Sequence, residues 1–243
     1  MRCPVTLRRS PGRRPSRAGR SEEASVHDNG PTHRLSSRSA AEGDPTGRFE
    51  RLYAEAARGA AEVPWDRDAP HSLLAEWTAR TRPDGSGRRA VVVGCGFGRD
   101  AEHLAALGFA TVAFDIAPTA VREARRRHAG SPVRYETADL LDPPADWLGA
   151  FDLVLESMNV QALPVELRER AIPAVGRLVA PGGTLLVIAA GRRDGTQVDG
   201  PPWPLTRAEI DAFAAGPLAP ADVAEIVAPD GGLRWRAEFH RAR

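Results

Sequence analysis

Three glycines at alternate positions, Gly94, Gly96 and Gly98, stand between the apolar run 90–93 and an Arg99-Asp100 pair that opens a helical stretch. Glycine lets the backbone turn tightly and come close to a ligand. The helix beyond the loop offers unpaired N–H groups and the positive end of its dipole. Two carboxylates follow at expected strand ends, Asp115 after Val112-Ala113-Phe114 and Asp139 in Ala138-Asp139-Leu140. An ionised carboxylate only accepts hydrogen bonds, so Asp115 suits a pair of vicinal hydroxyls. Asp139 suits the exocyclic amine of a base, with Leu140 packed on the ring. Together they predict a nucleoside-type ligand.

Spacing narrows the choice. A dinucleotide fingerprint G-x-G-x-x-G needs a glycine at position 99, where this chain has Arg99. The loop is instead G-x-G-x-G, which is wider and gives up the tight turn that benefits a pyrophosphate. S-adenosylmethionine has a sulfonium amino acid and no phosphate, so it is the expected cofactor. Asp100 at the helix start and Ile116 after the second strand join the expected contacts, and Cys95 fills a small space in the loop. Asp115 alone fits a nicotinamide dinucleotide equally well. An NAD(P)-dependent oxidoreductase therefore stands as an alternative, opposed by Arg99 and Asp139.

These residues need a frame. From 90 onward apolar β-branched runs alternate with helical periodicity: strands over 90–93, 111–114, 133–136, 151–155 and 184–189, with helices over 99–107, 119–128 and 165–178 between them. Such alternation predicts an α/β fold, a Rossmann-like, doubly wound, mostly parallel sheet with right-handed crossovers and helices on both faces. A further helix is expected over 206–214. An antiparallel pair over 223–227 and 233–239, joined through Asp230-Gly231-Gly232, would complete seven strands. Ligands of such sheets sit beyond the carboxyl ends of the strands. That edge collects Glu156, Asn159 and Gln161 just past the fourth strand. Glu156 and Asn159 are expected to position a second substrate, with Glu156 also near the cofactor. Gln161 and Trp203 are expected to line the second substrate's pocket.

Composition bounds the rest. The 243 residues carry a net charge of +1, and all 33 basic residues are arginine, so no whole-protein field favours nucleic acid or an anionic membrane. Two cysteines, Cys3 and Cys95, make neither a disulfide framework nor a zinc site, and no metal is expected. With no apolar stretch of membrane length, a cytoplasmic protein is the expectation, and a monomer. Residues 1–46, rich in Arg, Ser and Pro, read as a disordered tail. Residues 47–243 read as one domain whose first part, about 48–82, is a helical lid carrying Pro64-Trp65-Asp66 and His71.

The strand, loop and acid blocks resemble the class I S-adenosylmethionine-dependent methyltransferases, from about Tyr53 to the C-terminus. Within that class, several short blocks resemble the thiopurine and thiol methyltransferase group. These are Phe151-Asp152-Leu153-Val154-Leu155-Glu156, Gln161-Ala162-Leu163-Pro164, Val179-Ala180-Pro181-Gly182-Gly183 and Gly200-Pro201-Pro202-Trp203-Pro204-Leu205-Thr206. The resemblance implies that the segment around Trp65 lies over the cofactor. Glu156-Ser157 stands where that group usually carries Asp-Arg, so thiol specificity does not carry across. The expected activity is methyl transfer to a small-molecule acceptor through sulfur, nitrogen or oxygen, with no nucleic acid or membrane partner. A non-catalytic S-adenosylmethionine-binding module is the further alternative.

Overall fold

The computed structural model describes residues 44–243, so most of the tail expected over 1–46 lies outside the described residues. Two helices lead: α1 (Gly47–Ala57) and α2 (Ser72–Thr81). The alternating core follows as β1 (Arg89–Val93), α3 (Arg99–Ala106), β2 (Ala110–Asp115), α4 (Pro118–Arg127), β3 (Arg134–Thr137), β4 (Phe151–Ser157), α5 (Val165–Arg177) and β5 (Val179–Ala190). The short α6 (Arg207–Asp211) precedes β6 (Leu218–Val227) and β7 (Leu233–Arg241).

The seven strands form one sheet in the order β3-β2-β1-β4-β5-β7-β6. Pairings from β3 through β5 are parallel, and β7 runs antiparallel to both β5 and β6. The strand order reverses direction between β1 and β4, which opens a crevice at their carboxyl ends.

Side-chain alternation along the strands separates two cores. Val91, Val93, Val154 and Val187 pack with Ile172 and Val175 of α5 and with Ile210 of α6. Ala90, Val92, Leu153 and Leu155 pack with Leu73, Leu74 and Trp77 of α2, Leu104 of α3 and Val121 of α4. Strands covered on both faces need apolar residues at nearly every position, and in β1 all four residues after Arg89 are buried. Local signals start and stop the helices. Pro118 occupies the first turn of α4, and Arg125, Arg126 and Arg127 sit in its last turn, opposite the negative end of its dipole. Thr206 and Glu209 form a capping box on α6.

Three elements differ from the sequence reading. β5 begins at Val179 because Val179 pairs with Phe151, and a register shift before Leu153 absorbs Pro181-Gly182-Gly183. β6 begins at Leu218, with a register shift between Pro220 and Asp222. The helix expected over 206–214 is α6 followed by a separate 3₁₀ turn, Ala212–Ala214. Among the described residues no helix is long and apolar enough to cross a membrane.

Candidate active site

The crevice is a cavity of about 610 Å³ running from the glycine loop to the wall formed by Pro201 and Pro202. That size lies within the range of roughly 300–1,000 Å³ found for small-molecule sites.

The loop forms one end. Gly94, Gly96 and Gly98 have φ of 60°, 52° and 92°, all in the left-handed region. Side chains there would be strained, and two of the positions have no room. A Cβ on Gly98 would stand 2.3 Å from the Tyr135 hydroxyl, and one on Gly94 would stand 2.4 Å from Asn159 Oδ1. The main-chain N–H of Gly96 donates to Asp115 Oδ2 at 3.0 Å, and that of Ala117 donates to Oδ1 at 2.9 Å. Asp115 is buried at the end of β2, and burial pushes its carboxyl up to about 6 against those two bonds. Asp139 is exposed on the cavity wall, where its Oδ1 accepts from Leu141 N–H at 2.8 Å, and Leu140 is buried beside it. Ile116, Cys95 and Asp100 also reach the wall. Burial holds the Cys95 thiol well above its ordinary range, which keeps it protonated.

The segment before α2 closes over the loop. Trp65 Nε1 donates to the Tyr53 hydroxyl at 2.7 Å, and the Tyr53 ring meets Phe97 edge-on with centroids 5.1 Å apart. Arg127 holds Asp66 through both carboxylate oxygens at 2.9 Å and lies 3.7 Å above the Phe97 ring. His71 caps α2. Its Nδ1 accepts from Leu73 N–H at 3.2 Å, and its own main-chain N–H donates to Asp100 Oδ1 at 2.7 Å. Burial and the Arg67 charge lower its pKa to about 4, so the ring is neutral with its proton on Nε2.

The chemistry of this end fits S-adenosylmethionine. The loop is a cradle that admits no side chains at its two tightest points, and Asp115 and Asp139 supply acceptors for hydroxyls and an amine. Ser157 Oγ, at the carboxyl end of β4, is buried without a protein partner. A pyrophosphate would want a cation at the loop, whereas Arg99 is turned to the Arg67 carbonyl at 3.1 Å and to Asp68 at 4.0 Å.

The other end differs in kind. Met158, at φ 63°, turns the chain out of β4. Asn159 follows with its amide over Gly94, and the 3₁₀ turn Val160–Ala162 carries Gln161. Gln161 is 3% exposed, and its Oε1 accepts from Ala190 N–H at 2.5 Å. Phe49, Leu52, Leu163 and Leu167 supply apolar surface to the wall. Arg48 is buried there, donating to the Ala162 carbonyl and lying 4.7 Å over Phe49 and 5.6 Å over Trp203. Desolvation lowers its pKa to about 10, so it remains a cation at neutral pH. Arg168 is buried behind this end. It bonds Glu209 and the carbonyls of Gln161 and Trp203, which ties the segment 200–206 to α5.

Of the residues singled out in the sequence, the structure places Trp65, Gly94, Cys95, Gly96, Gly98, Asp100, Asp115, Ile116, Asp139, Leu140, Asn159 and Gln161 around this one cavity. Two expected residues stand elsewhere. Glu156 is 0% exposed and off the wall; its Oε1 accepts from the main-chain N–H groups of Asn159 and Val160 at 2.8 and 2.7 Å. The β-strand alternation turns it toward the core shared with α5, and burial raises its carboxyl to about 7. Trp203 is off the wall that Pro201 and Pro202 line; it packs against Gly200 and Arg48 instead. Sequence reasoning missed Arg48, Tyr53 and Met158. Tyr53 was legible only as an apolar helical position, and nothing local marks Arg48, whose partners are remote in the chain. Among the described residues no group of His, Cys, Asp or Glu is arranged to hold a metal.

Comparison with known proteins agrees with this geometry. Residues 90–183 match a methyltransferase domain. The chain is 27% identical over 190 residues to the 2-heptyl-1-hydroxyquinolin-4(1H)-one methyltransferase of Mycobacteroides abscessus, covering 74% of this chain and 82% of that protein. It is 30% identical over 155 residues to the ubiquinone biosynthesis O-methyltransferase of Xanthomonas oryzae pv. oryzae, covering 60% of this chain and 64% of that protein. Among solved structures, the N-methyltransferase NodS of Bradyrhizobium japonicum, in complex with S-adenosylhomocysteine, superposes with a TM-score of 0.60 at 21% identity, covering 80% of this chain and all of that one. A protein of echinomycin biosynthesis, from work on converting a disulfide bond into a thioacetal group, superposes with a TM-score of 0.66 at 22% identity over 81% of this chain and 91% of that one. At these identities the structural likenesses establish the fold.

Proposed function

We propose that this chain, an S-adenosylmethionine-dependent methyltransferase, methylates a small, largely apolar acceptor, works as a single subunit, and acts without nucleic acid or membrane. The observation that carries this reading is the continuity of the cavity: the glycine loop opens directly onto an apolar lobe walled by Phe49, Leu163, Leu167 and Pro202.

When bound, S-adenosylmethionine supplies a methyl carbon already activated by its sulfonium. The chain's task is then alignment, and holding two reactants in line is worth roughly 7–11 kcal/mol in effective concentration. Gly94, Gly96 and Gly98 give backbone access, Asp115 and Asp139 fix the nucleoside, and Trp65 with Tyr53 covers the loop and excludes water. Asn159 stands between the two ends, over Gly94, where it can orient an acceptor toward the loop. Gln161 offers an amide deeper in the lobe. Glu156 acts as a positioning residue, holding the N–H groups that start the turn bearing Asn159 and Gln161.

An oxygen acceptor is favoured. The two curated relatives are named for a hydroxyquinolinone with a heptyl chain and for an O-methylation, and the apolar lobe suits a ring with an aliphatic tail. A sulfur nucleophile fits the same proposal, because displacement on a sulfonium methyl needs only an aligned lone pair. The test is calorimetry with S-adenosylhomocysteine followed by an acceptor screen by mass spectrometry. Binding, and a gain of one methyl group on a ring hydroxyl or thiol, are expected. A folded sample that binds no cofactor, or that methylates nothing in a broad screen, overturns the reading.

A further inference from the structure

The acceptor lobe presents hydrogen-bond donors and a buried cation, and among the described residues each carboxylate on the cavity wall already accepts a hydrogen bond or holds an arginine. Gln161 fixes the first point. Ala190 N–H is a donor and must meet an oxygen, so the group at 2.5 Å is Oε1, and Nε2 with its two protons is the end left for the cavity. Arg48, on α1, adds a buried positive charge to the same lobe.

Every carboxylate on the wall has partners. Asp66 on the lid is held by Arg127, and Asp100 on α3 takes the His71 main-chain N–H and lies 3.6 Å from Arg67. Asp115 and Asp139 lie at the nucleoside end with their main-chain bonds. In the β6–β7 turn, Asp230 accepts from Gly232 N–H at 2.8 Å and from Arg234 at 2.7 Å. His71 presents Nε2–H, since its Nδ1 lone pair is used by Leu73 N–H. Tyr53 accepts from Trp65, and the Cys95 thiol stays protonated. Arg99 is turned away to Arg67 and Asp68. Glu156, the nearest carboxylate in sequence to Asn159, is sealed behind the wall. Among the described residues, then, the segments that wall this lobe, α1, 157–167 and 200–202, bring no carboxylate or histidine to the cavity to take a proton from an acceptor.

We propose that the acceptor enters as an anion: a flat, apolar molecule whose oxygen or sulfur has lost its proton to water before binding, recognised by the Gln161 amide beside Arg48. This rests on the methyl-transfer reading above and narrows its substrate class to acidic ring hydroxyls and thiols, excluding amines and aliphatic alcohols. The step balances without a base. A lone pair of the acceptor's oxygen or sulfur forms a bond to the methyl carbon, while the carbon–sulfur bond breaks and its electron pair stays on sulfur. One negative and one positive charge become two neutral products, and no proton moves. Bringing opposite charges together in a low-dielectric cavity and cancelling them favours this direction.

The experiment uses the full chain saturated with S-adenosylhomocysteine and a set of substituted phenols of graded acidity. Acceptor affinity is measured by calorimetry from pH 5 to 9. Affinity is expected to fall about tenfold per pH unit below each phenol's own pKa, with the break moving from phenol to phenol. Gln161→Glu keeps the oxygen that Ala190 N–H requires and replaces the donor by an acceptor. It should weaken binding of the ionised phenol by about 10- to 100-fold, the range for a hydrogen bond to a charged group, while S-adenosylhomocysteine affinity stays within about twofold. A break fixed at one pH for all phenols, equal binding by Gln161→Glu, or no binding by any phenol overturns the proposal. Turnover with S-adenosylmethionine separates the two readings. Methylation of an amine or aliphatic alcohol as fast as of a phenol preserves methyl transfer and sinks the anionic acceptor. Failure to bind either cofactor sinks methyl transfer itself.

Discussion

At the nucleoside end of the cavity the wall is mostly backbone. Its shape comes from the left-handed glycines 94, 96 and 98, and its chemistry from Asp115, which is held by main-chain N–H groups of the glycine loop and of the residue that caps α4. At the acceptor end the wall is side chains held by remote partners. Arg48 reaches Ala162 across 114 residues, Gln161 reaches Ala190 across 29, and Arg168 reaches Trp203 across 35. The first construction tolerates one ligand, because the backbone positions leave no freedom. The second can be re-shaped by exchanging a few side chains while the fold persists, which is how one scaffold serves many acceptors.

Four changes would break or sharpen that contrast. The largest effect is expected from Arg168→Met. It leaves Glu209 and two carbonyls without their buried cation, and losing one member of such a pair costs about 3–5 kcal/mol. Denaturant unfolding should show that loss, and acceptor binding should suffer more than cofactor binding. Equal damage to both would mean that the two ends are not separately supported.

Glu156→Gln should act in the opposite direction. The folded-state carboxyl titrates at about 7 against an ordinary 4.5, so the folded state binds its proton more tightly. The associated stability is complete below pH 4.5 and is lost as pH rises through 7. Glutamine is neutral throughout and retains an oxygen for Asn159 and Val160. The variant should match the parent near pH 4 and exceed it at pH 8 by up to about 3 kcal/mol, taking about 1.4 kcal/mol per pH unit. Methyl transfer should survive. Loss of turnover in a stable, cofactor-binding variant would move Glu156 from positioning into the chemistry.

Gly98→Ala probes the backbone end. With φ at 92° and the Tyr135 hydroxyl 2.3 Å from the new methyl, strain of roughly 1–3 kcal/mol is expected. Thermal melting should fall, and S-adenosylhomocysteine affinity with it. The smallest effect is in pH. Asp115 in the free protein titrates at about 6, and only the ionised form can accept from two hydroxyls. Cofactor affinity should be flat above pH 7 and decline by at most about tenfold per unit below 6, read by calorimetry, with Asp115→Asn flat and weaker throughout.

Much of the fold was legible because it rests on local rules. The apolar runs of β1, β2 and β4, Pro118 at the start of α4 and the glycines before α3 each signal their own structure within a few residues. β5 and β6 were read short, since a strand interrupted by Pro181-Gly182-Gly183 or Pro220 can be recognised only from its pairing partner. The loop end of the cavity was legible for the same local reason, as Asp115 ends β2 and Asp139 falls just past β3, where periodicity sets the strands. Glu156 was misplaced by the same periodicity. Its position at the end of β4 is visible in sequence, but the face to which it turns depends on the register of β4 between β1 and β5.

The sequence alone thus determined the sheet's alternation, the glycine loop and the two carboxylates proposed to read a nucleoside, because each depends on neighbours a few residues apart. Only the tertiary structure decided that Glu156 is sealed in the core, that Trp203 packs on Gly200 and Arg48 off the wall, and that Gln161 is pinned by Ala190 at the cavity. Those outcomes depend on contacts between segments far apart in the chain, where burial and hydrogen-bond satisfaction are settled by which surfaces meet.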